Sequence, residues 1–281
     1  MTKRNYKDSV FTALFNDPDL LRELYCALEG ITLPSDVPVS INTLQNVLYL
    51  DLYNDISFEI GGKLVILIEH QSTINPNMAL RLLLYISRIL EKRTEGVRLY
   101  SKKKLTIPWP EFFILYNGKE PYPDVVTLKL SDLFDKPQDL GIPEKSYPLL
   151  ELEVKVININ EGRNSEIVNK CKKLAEYSFF IAKIREFLNE TGNLEESIAG
   201  AVNYCSKHDI LEKFLQIHGS EVLNMLWTEC SSEDVMAFLR EEAREEGREE
   251  GREESQNFIL NLFEQGFSLE EVKLHLTKNN K

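Results

Sequence analysis

One apolar run constrains what the centre of this chain can form. Residues 64–68 read LVILI, and the run continues directly into the polar residues EHQ at 69–71. A Gly61-Gly62 pair precedes the run, and before the glycines residues 56–60 are again largely apolar. Two apolar runs separated by a short glycine-containing turn predict a β-hairpin. The second strand of that hairpin is apolar enough to be buried, yet it ends in a carboxylate.

The apolar residues also predict the register of the hairpin. Pairing Asp55 with Glu69 creates three apolar pairs, which are Ile56 with Ile68, Phe58 with Ile66 and Ile60 with Leu64. Sliding one strand by a single residue breaks these pairs and turns the two carboxylates to opposite faces. Directly opposed residues of an antiparallel pair share a face, and Gln71 projects to the same side as Glu69. The pattern therefore brings Asp55, Glu69 and Gln71 together, whereas His70 points to the other face and is interpreted as structural.

Two carboxylates and an amide at one end of a sheet suit a hard divalent cation. Mg²⁺ prefers oxygen ligands and is typically held by one or two carboxylates together with phosphate oxygens of a substrate. Such a metal lowers the pKa of its bound water and neutralises charge that develops on a phosphodiester. Asp55 and Glu69 are therefore candidate ligands for Mg²⁺, with Mn²⁺ as a substitute. The alternative is that both residues are only the polar ends of two strands.

The rest of the pattern predicts an α/β core followed by helices. Asp17-Pro18 and Asn75-Pro76 predict helix starts, and residues 110–118 and 149–156 read as strands. Beyond about residue 160 nearly all of the pattern is helical. We expect a mixed sheet flanked by helices, with an all-helical C-terminal region. The expected boundaries are a core at 1–160, a helical region packed on it at 161–238, a charged helical linker at 239–256 and a small helical segment at 257–281.

Charge and composition restrict the partners. The 281 residues carry a formal net charge of −12, which argues against a general affinity for nucleic-acid phosphates. Part of this acidity lies in residues 240–254, which contain eight Glu and four Arg, and the short basic run RLYSKKK at 98–104 is interpreted as a solvated loop. We expect a cytoplasmic protein with no membrane segment, because no apolar run reaches membrane-spanning length and the N-terminus lacks a secretory signal.

The C-terminal residues predict self-association. The repeat REEAREEGREEGREES places arginines and glutamates at spacings that form ion pairs along a helix, while Gly247 and Gly251 weaken that helix. Apolar residues at heptad spacing are missing from the repeat, so a strong coiled coil is not expected there. Residues 257–281 follow with two amphipathic turns. We expect a homodimer through this segment, with docking on the core or contact with DNA as alternatives.

Several segments of the chain resemble one known family. The longest, residues 54–92, reads NDISFEIGGKLVILIEHQSTINPNMALRLLLYISRILEK. It resembles the recombination-promoting nuclease (Rpn), or transposase-like, family of PD-(D/E)XK nucleases. PEFFILYNGKEPYPD at 110–124, YKDSVFTALF at 6–15 and the Glu/Arg/Gly-rich tail are similar to the same family. The resemblance implies a restriction-endonuclease-like fold and Mg²⁺-dependent DNA cleavage linked to recombination or transposition. Carried over by position, the metal ligands are Asp55 and Glu69, and Gln71 occupies the usual lysine position.

The glutamine alters the chemistry that this resemblance implies. Lysine stabilises negative charge or takes part in activating water, whereas the amide of Gln71 only orients groups through hydrogen bonds. Arg81 and Lys63 are the candidates for contacting phosphate, although Arg81 also fits the polar face of a helix. Glu23 is the candidate for a helical acid that completes the site, and its alternative is a solvated helix residue.

A literal match to the letters PD…ExK lies elsewhere, at Pro123-Asp124 and Glu153-Val154-Lys155. The residues between them are rich in loop formers, and Glu153 and Lys155 alternate with apolar residues as in a half-exposed strand. We interpret this match as a solvated face rather than a site.

The leading functional prediction is a metal-dependent DNA endonuclease. The competing prediction is a catalytically weak protein in which the nuclease fold serves as a scaffold and the helical tail recruits a partner or forms a dimer. Cleavage of RNA is a further alternative, because the predicted ligands address only a phosphodiester and a metal.

Overall fold

The computed structural model describes residues 10–42, 56–94, 100, 102–135, 147–219 and 222. The chain divides into two compact units, Met1–Trp227 and Thr228–Lys281, and every described residue lies in the first unit. Asp55, the predicted linker at 239–256 and the predicted helical segment at 257–281 lie outside the described residues. The expectations about a homodimer and about these boundaries therefore stay predictions.

Helices precede, interrupt and follow the strands along the described residues. The helices are α1 (Val10–Leu14), α2 (Pro18–Glu29), α3 (Met78–Thr94), α4 (Ser165–Val168), α5 (Lys172–Thr191) and α6 (Leu194–Lys207). The strands are β1 (Val39–Ile41), β2 (Ile56–Ile60), β3 (Leu64–Gln71), β4 (Trp109–Tyr116), β5 (Val125–Lys129) and β6 (Glu153–Asn158). A short 3₁₀ helix, Leu130–Leu133, follows β5. The predicted α/β class is confirmed.

The strands form one mixed sheet in the order β1-β2-β3-β4-β6-β5. Strands β3, β4 and β6 are parallel, whereas β1, β2 and β5 run antiparallel to their neighbours. The parallel strands finish side by side, with Gln71 opposite Tyr116 and Tyr116 opposite Asn158. We call this the carboxyl end of the sheet.

Helices cover both faces of the sheet. On one face α3 packs against Val65 and Leu67 of β3. On the other face Ile66 and Ile68 belong to a core cluster that also contains residues of α1, α2, α5 and α6. Successive side chains of a strand point to opposite faces, and all four of these residues are fully buried. The apolar run is therefore continuous because β3 is covered on both sides.

The observed register of the central hairpin confirms the predicted one. Ile56 pairs with Ile68, Phe58 with Ile66 and Ile60 with Leu64. Gly61 and Gly62 connect the strands with φ of +57° and +65°, a left-handed conformation that glycine adopts without a Cβ penalty.

Both predicted helix starts also have a clear local cause. The Asp17 carboxylate accepts the main-chain N–H groups of Asp19 and Leu20 at 2.9 and 3.0 Å, and Pro18 is the first residue of α2. Before α3, the side chain of Asn75 accepts the N–H of Asn77 at 2.9 Å. These contacts satisfy donors that have no partner inside a helix.

Strands β1 and β5 were not predicted from the sequence. Both occupy the margins of the sheet. They have only three and five residues, and none of these is fully buried, so the apolar alternation in them is too brief to mark a strand in the sequence.

Candidate active site at the carboxyl end of the sheet

Glu69 is a buried carboxylate near the end of β3. Its relative exposure is 2%, and it faces α3. Arg81 of α3 lies over it, with 3.2 Å between Arg81 Nη2 and Glu69 Oε2. A buried ionised carboxylate needs a compensating charge, and Arg81 supplies one. Because the Arg81 side chain is 38% exposed, the ion pair reaches from the interior to the surface.

Arg81 is held by neighbours on the same face of α3. Its Nη2 donates to the hydroxyl oxygen of Tyr85 at 2.9 Å, and its Nη1 lies 3.2 Å from the Met78 sulfur. The Gln71 amide nitrogen contacts the same sulfur at 2.8 Å. The structure therefore brings Glu69, Gln71 and Arg81 together. Sequence reasoning missed Met78 and Tyr85, although spacings of three and four residues from Arg81 place them beside it on a helix.

His70 lies on the opposite face, where its register predicted it. Its Nε2 is 3.1 Å from the hydroxyl oxygen of Tyr177 in α5, and its ring stacks on Phe11 at a centroid distance of 4.9 Å. Burial and, secondarily, the charge of Arg185 lower the pKa of His70 to about 4. His70 is therefore neutral near pH 7 and joins β3 to α1 and α5.

Lys63 and Glu23 are not brought to Glu69. Lys63 lies in the turn that precedes β3, and its distance from Glu69 along the strand is roughly 20 Å. Glu23 belongs to α2 on the other face of the sheet, where its carboxylate accepts the N–H of Lys172 at the start of α5 at 2.9 Å. Asp55 lies outside the described residues.

The literal PD…ExK residues are separated. In the β5–β6 pair Glu153 opposes Lys129, whereas the main chain of Asp124 contacts Asn158 at the other end. The Asp124 and Glu153 side chains are 54% and 56% exposed, and each forms an ion pair at 3.0 Å, with Arg163 and Lys129 respectively. This geometry agrees with a solvated face.

The donor set at Glu69 fits a hard cation in its chemistry. A carboxylate and an amide oxygen are ligands that Mg²⁺ takes in proteins, and Glu69 and Gln71 provide both on one face of β3. In the part of the chain that the structure describes, no group of three or more His, Cys, Asp or Glu is placed to hold a metal. The second predicted carboxylate, Asp55, is outside that part.

A concave surface lies away from Glu69, around the first residues of β4 and β6. It has a volume of about 810 Å³. We call it the acidic groove, because an apolar floor meets a rim of four glutamates and one lysine: Leu83, Leu90, Trp109, Phe112 and Val125 with Glu29, Glu111, Glu151, Glu153 and Lys155. Its Trp109 is 71% exposed. A rim of this charge disfavours nucleic-acid phosphates.

The fold and the site define a mixed α/β protein with an arginine-paired carboxylate at the carboxyl ends of parallel strands, where open α/β sheets commonly bind ligands. Over residues 8–198 the chain matches the family described as "Putative transposase, YhgA-like", and it belongs to that family. Membership indicates a transposition-related function and interaction with DNA. No curated protein and no solved structure matches the chain. Among the described helices, none is long and apolar enough to cross a membrane.

Proposed function

We propose that this protein is a Mg²⁺-dependent endonuclease that hydrolyses DNA phosphodiester bonds, on a restriction-endonuclease-like core, in recombination or transposition. The observation that carries the proposal is the environment of Glu69. This carboxylate is 2% exposed, shares a face of β3 with Gln71 and lies 3.2 Å from Arg81. Buried ionisable groups with a specific charged partner are concentrated at functional sites.

Asp55 and Glu69 are the proposed metal ligands, for Mg²⁺ or Mn²⁺, and Gln71 lies beside Glu69 on the same face of β3. A bound metal of this kind supplies charge neutralisation and an acidified water. Glu69 contributes its carboxylate oxygens, and Gln71 contributes an amide that orients its neighbours through hydrogen bonds. Because an amide does not take up a proton at neutral pH, Gln71 is not the base of the reaction.

Arg81 is the proposed phosphate contact. Its guanidinium is held by Glu69 and Tyr85, so its planar fork of donors is already oriented, and this fork matches the oxygens of a phosphate. The partial exposure of the side chain leaves it accessible at the surface. Arg81 also places a positive charge beside Gln71, which occupies the position of the lysine in the nucleases that the sequence resembles.

The test is cleavage of supercoiled plasmid by the full chain in Mg²⁺, Mn²⁺ or EDTA. Asp55→Ala and Glu69→Ala are compared with Glu153→Ala, a matched control that removes an exposed carboxylate of the same sheet. We expect metal-dependent cutting by the wild type and by Glu153→Ala, and none by the other two variants. Cutting in EDTA, or cutting that survives both site substitutions, overturns the proposal.

A scaffold function is the second candidate, and the acidic groove is the observation that favours it. The groove combines an exposed Trp109 with an apolar floor at the end of the sheet remote from Glu69. Exposed apolar surface rimmed by polar residues is typical of protein interaction sites. A folded wild-type chain that neither cuts plasmid nor gains stability from Mg²⁺ or Mn²⁺ would favour this function.

A further inference from the structure

A second arginine reaches the carboxyl end of the sheet from the face opposite Arg81. Arg185 of α5 donates from Nη2 to the main-chain oxygen of Asn117 at 2.5 Å and from Nη1 to the side-chain oxygen of Asn160 at 2.7 Å. Asn117 directly follows β4, and Asn160 comes just after β6. One guanidinium therefore ties together the ends of two parallel strands.

The contact continues from Asn117 to the proposed site. The N–H of Asn117 donates to the main-chain oxygen of Gln71 at 2.8 Å. Residue 117 thus accepts from Arg185 with its carbonyl and donates to Gln71 with its amide. The segments that follow β3 and β4 also approach each other closely at the next residue, because a Cβ at Gly118 would lie 2.2 Å from the main-chain oxygen of Ser72.

The side chain of Asn117 does not provide this anchoring. Asn117 is 2% exposed, and within the described residues its side-chain nitrogen and oxygen have no hydrogen-bond partner. Its main chain carries the contacts instead. A hydrogen bond from a charged guanidinium is stronger than one between neutral groups, so the bond from Arg185 is a strong restraint on residue 117.

We propose that Arg185 is a positioning residue for the carboxyl end of β3. By holding the carbonyl of Asn117 it fixes the end of β4, and through the N–H of Asn117 it fixes the main chain of Gln71 two residues beyond Glu69. The catalytic consequence rests on the proposed nuclease function, whereas the restraint on Gln71 does not. Arg185 lies outside the predicted core at 1–160 but inside the family match at 8–198, so the helical region contributes to the site.

Hydrogen–deuterium exchange of the full chain with Arg185→Lys tests the restraint. Lysine keeps the charge but loses the two-pronged donor geometry. Peptides covering residues 112–120 and 69–75 are expected to exchange about tenfold faster, with residues 56–60 unchanged. The matched control is Arg163→Lys, whose arginine forms an exposed ion pair with Asp124 and is expected to change neither peptide.

Two exchange results would overturn the inference. Unchanged exchange at both peptides would show that Arg185 does not restrain them, and a uniform rise over the whole sheet would show a general stabilising contact. If Arg185→Lys does not fold, Asn160→Ala tests the same restraint, because it removes the second anchor of the guanidinium. It also removes the donations of the Asn160 amide nitrogen to Gly118 O at 3.1 Å and to Asn158 Oδ1 at 2.9 Å, so its control is Asn160→Asp, which loses these donations but keeps an oxygen that accepts from Arg185. Asn160→Ala should raise exchange at the same two peptides more than Asn160→Asp does; equal exchange in the two variants would overturn the restraint by Arg185.

Steady-state cleavage separates positioning from DNA binding. Because Gln71 orients groups rather than holding DNA, Arg185→Lys should lower kcat about tenfold or more with KM unchanged. A raised KM with unchanged kcat would make Arg185 a DNA contact and overturn its assignment as a positioning residue. A wild type that does not cut plasmid would refute the nuclease function, while the exchange result would still decide whether Arg185 restrains Gln71.

Discussion

Glu69 and Glu153 are carboxylates on strands of the same sheet, in opposite environments. Glu69 lies at the carboxyl end of β3, 2% exposed and 3.2 Å from Arg81 of a covering helix. Glu153 opens β6 at the other end of the sheet, with a side chain that is 56% exposed and 3.0 Å from Lys129 of the adjacent strand. The motif letters point to Glu153, which stands in a literal ExK.

The difference shows that the surroundings of a carboxylate are more informative than the letters around it. An exposed glutamate on a strand costs almost nothing and adds little stability when it forms an ion pair. A buried glutamate is costly unless it is paired and hydrogen-bonded. Glu69, which is buried and paired with Arg81, is therefore the carboxylate to which the proposed function assigns a role, whereas solvation accounts for Glu153.

The largest expected difference between Glu69 and Glu153 is in the cleavage rates of their isosteric variants. Glu69→Gln removes the charge while keeping the shape, and it should lower the initial rate of plasmid nicking at saturating Mg²⁺ by about a hundredfold or more. Glu153→Gln and Asp124→Asn should stay close to the wild-type rate, because both carboxylates are exposed and remote from Arg81. Equal losses from Glu69→Gln and Glu153→Gln would remove the distinction between the two sites.

Removing the partner of Glu69 should have the next largest effect, this time on stability. Arg81→Ala leaves a carboxylate buried without its compensating charge, and we expect a loss of about 2 kcal/mol in the free energy of unfolding, moderated by the partial exposure of Arg81. Urea unfolding at neutral pH measures it. The double variant Arg81→Ala/Glu69→Gln should recover most of the loss, since no unpaired charge remains. A double variant as unstable as Arg81→Ala would indicate that Arg81 acts through packing.

Metal-induced stabilisation offers a third, smaller contrast. At a free Mn²⁺ concentration of about ten times Kd, preferential binding to the native state should add about 1.4 kcal/mol to the free energy of unfolding. This gain should appear as a higher denaturation midpoint in the wild type and in Glu153→Gln, and it should vanish in Glu69→Gln. A gain that persists in Glu69→Gln would place the metal elsewhere.

The central hairpin was predictable because residues close together in the sequence determine its strand pairing. Apolar pairs across a glycine turn fix the register, and the register decides that Glu69 and Gln71 share a face opposite His70. Arg81 was also within reach of sequence reasoning, since α3 begins soon after β3 and helical spacing orders its residues.

The contacts of α5 were not predictable by the same means. Tyr177 meets His70 across 107 residues of sequence, and Arg185 meets Asn117 across 68. No periodicity in either segment encodes such a pairing, because it depends on how the helix packs on the sheet. Glu23 shows the converse error: a helical acid suggested a site residue, but α2 packs on the other face and Glu23 caps α5.

The smallest effect is expected at the exposed pair. Lys129→Ala should leave the urea midpoint at neutral pH almost unchanged, because salt and water screen an ion pair on the surface. The hydrogen bond to Glu153 raises the pKa of Lys129. Any stabilisation from this pair is therefore present at neutral pH and is lost as the pH rises through the raised pKa of Lys129, so wild type and variant should converge above that pKa. If Lys129→Ala destabilised the protein as much as Arg81→Ala, the difference in exposure would not explain why the ion pairs of Glu153 and Glu69 differ in their contribution to stability.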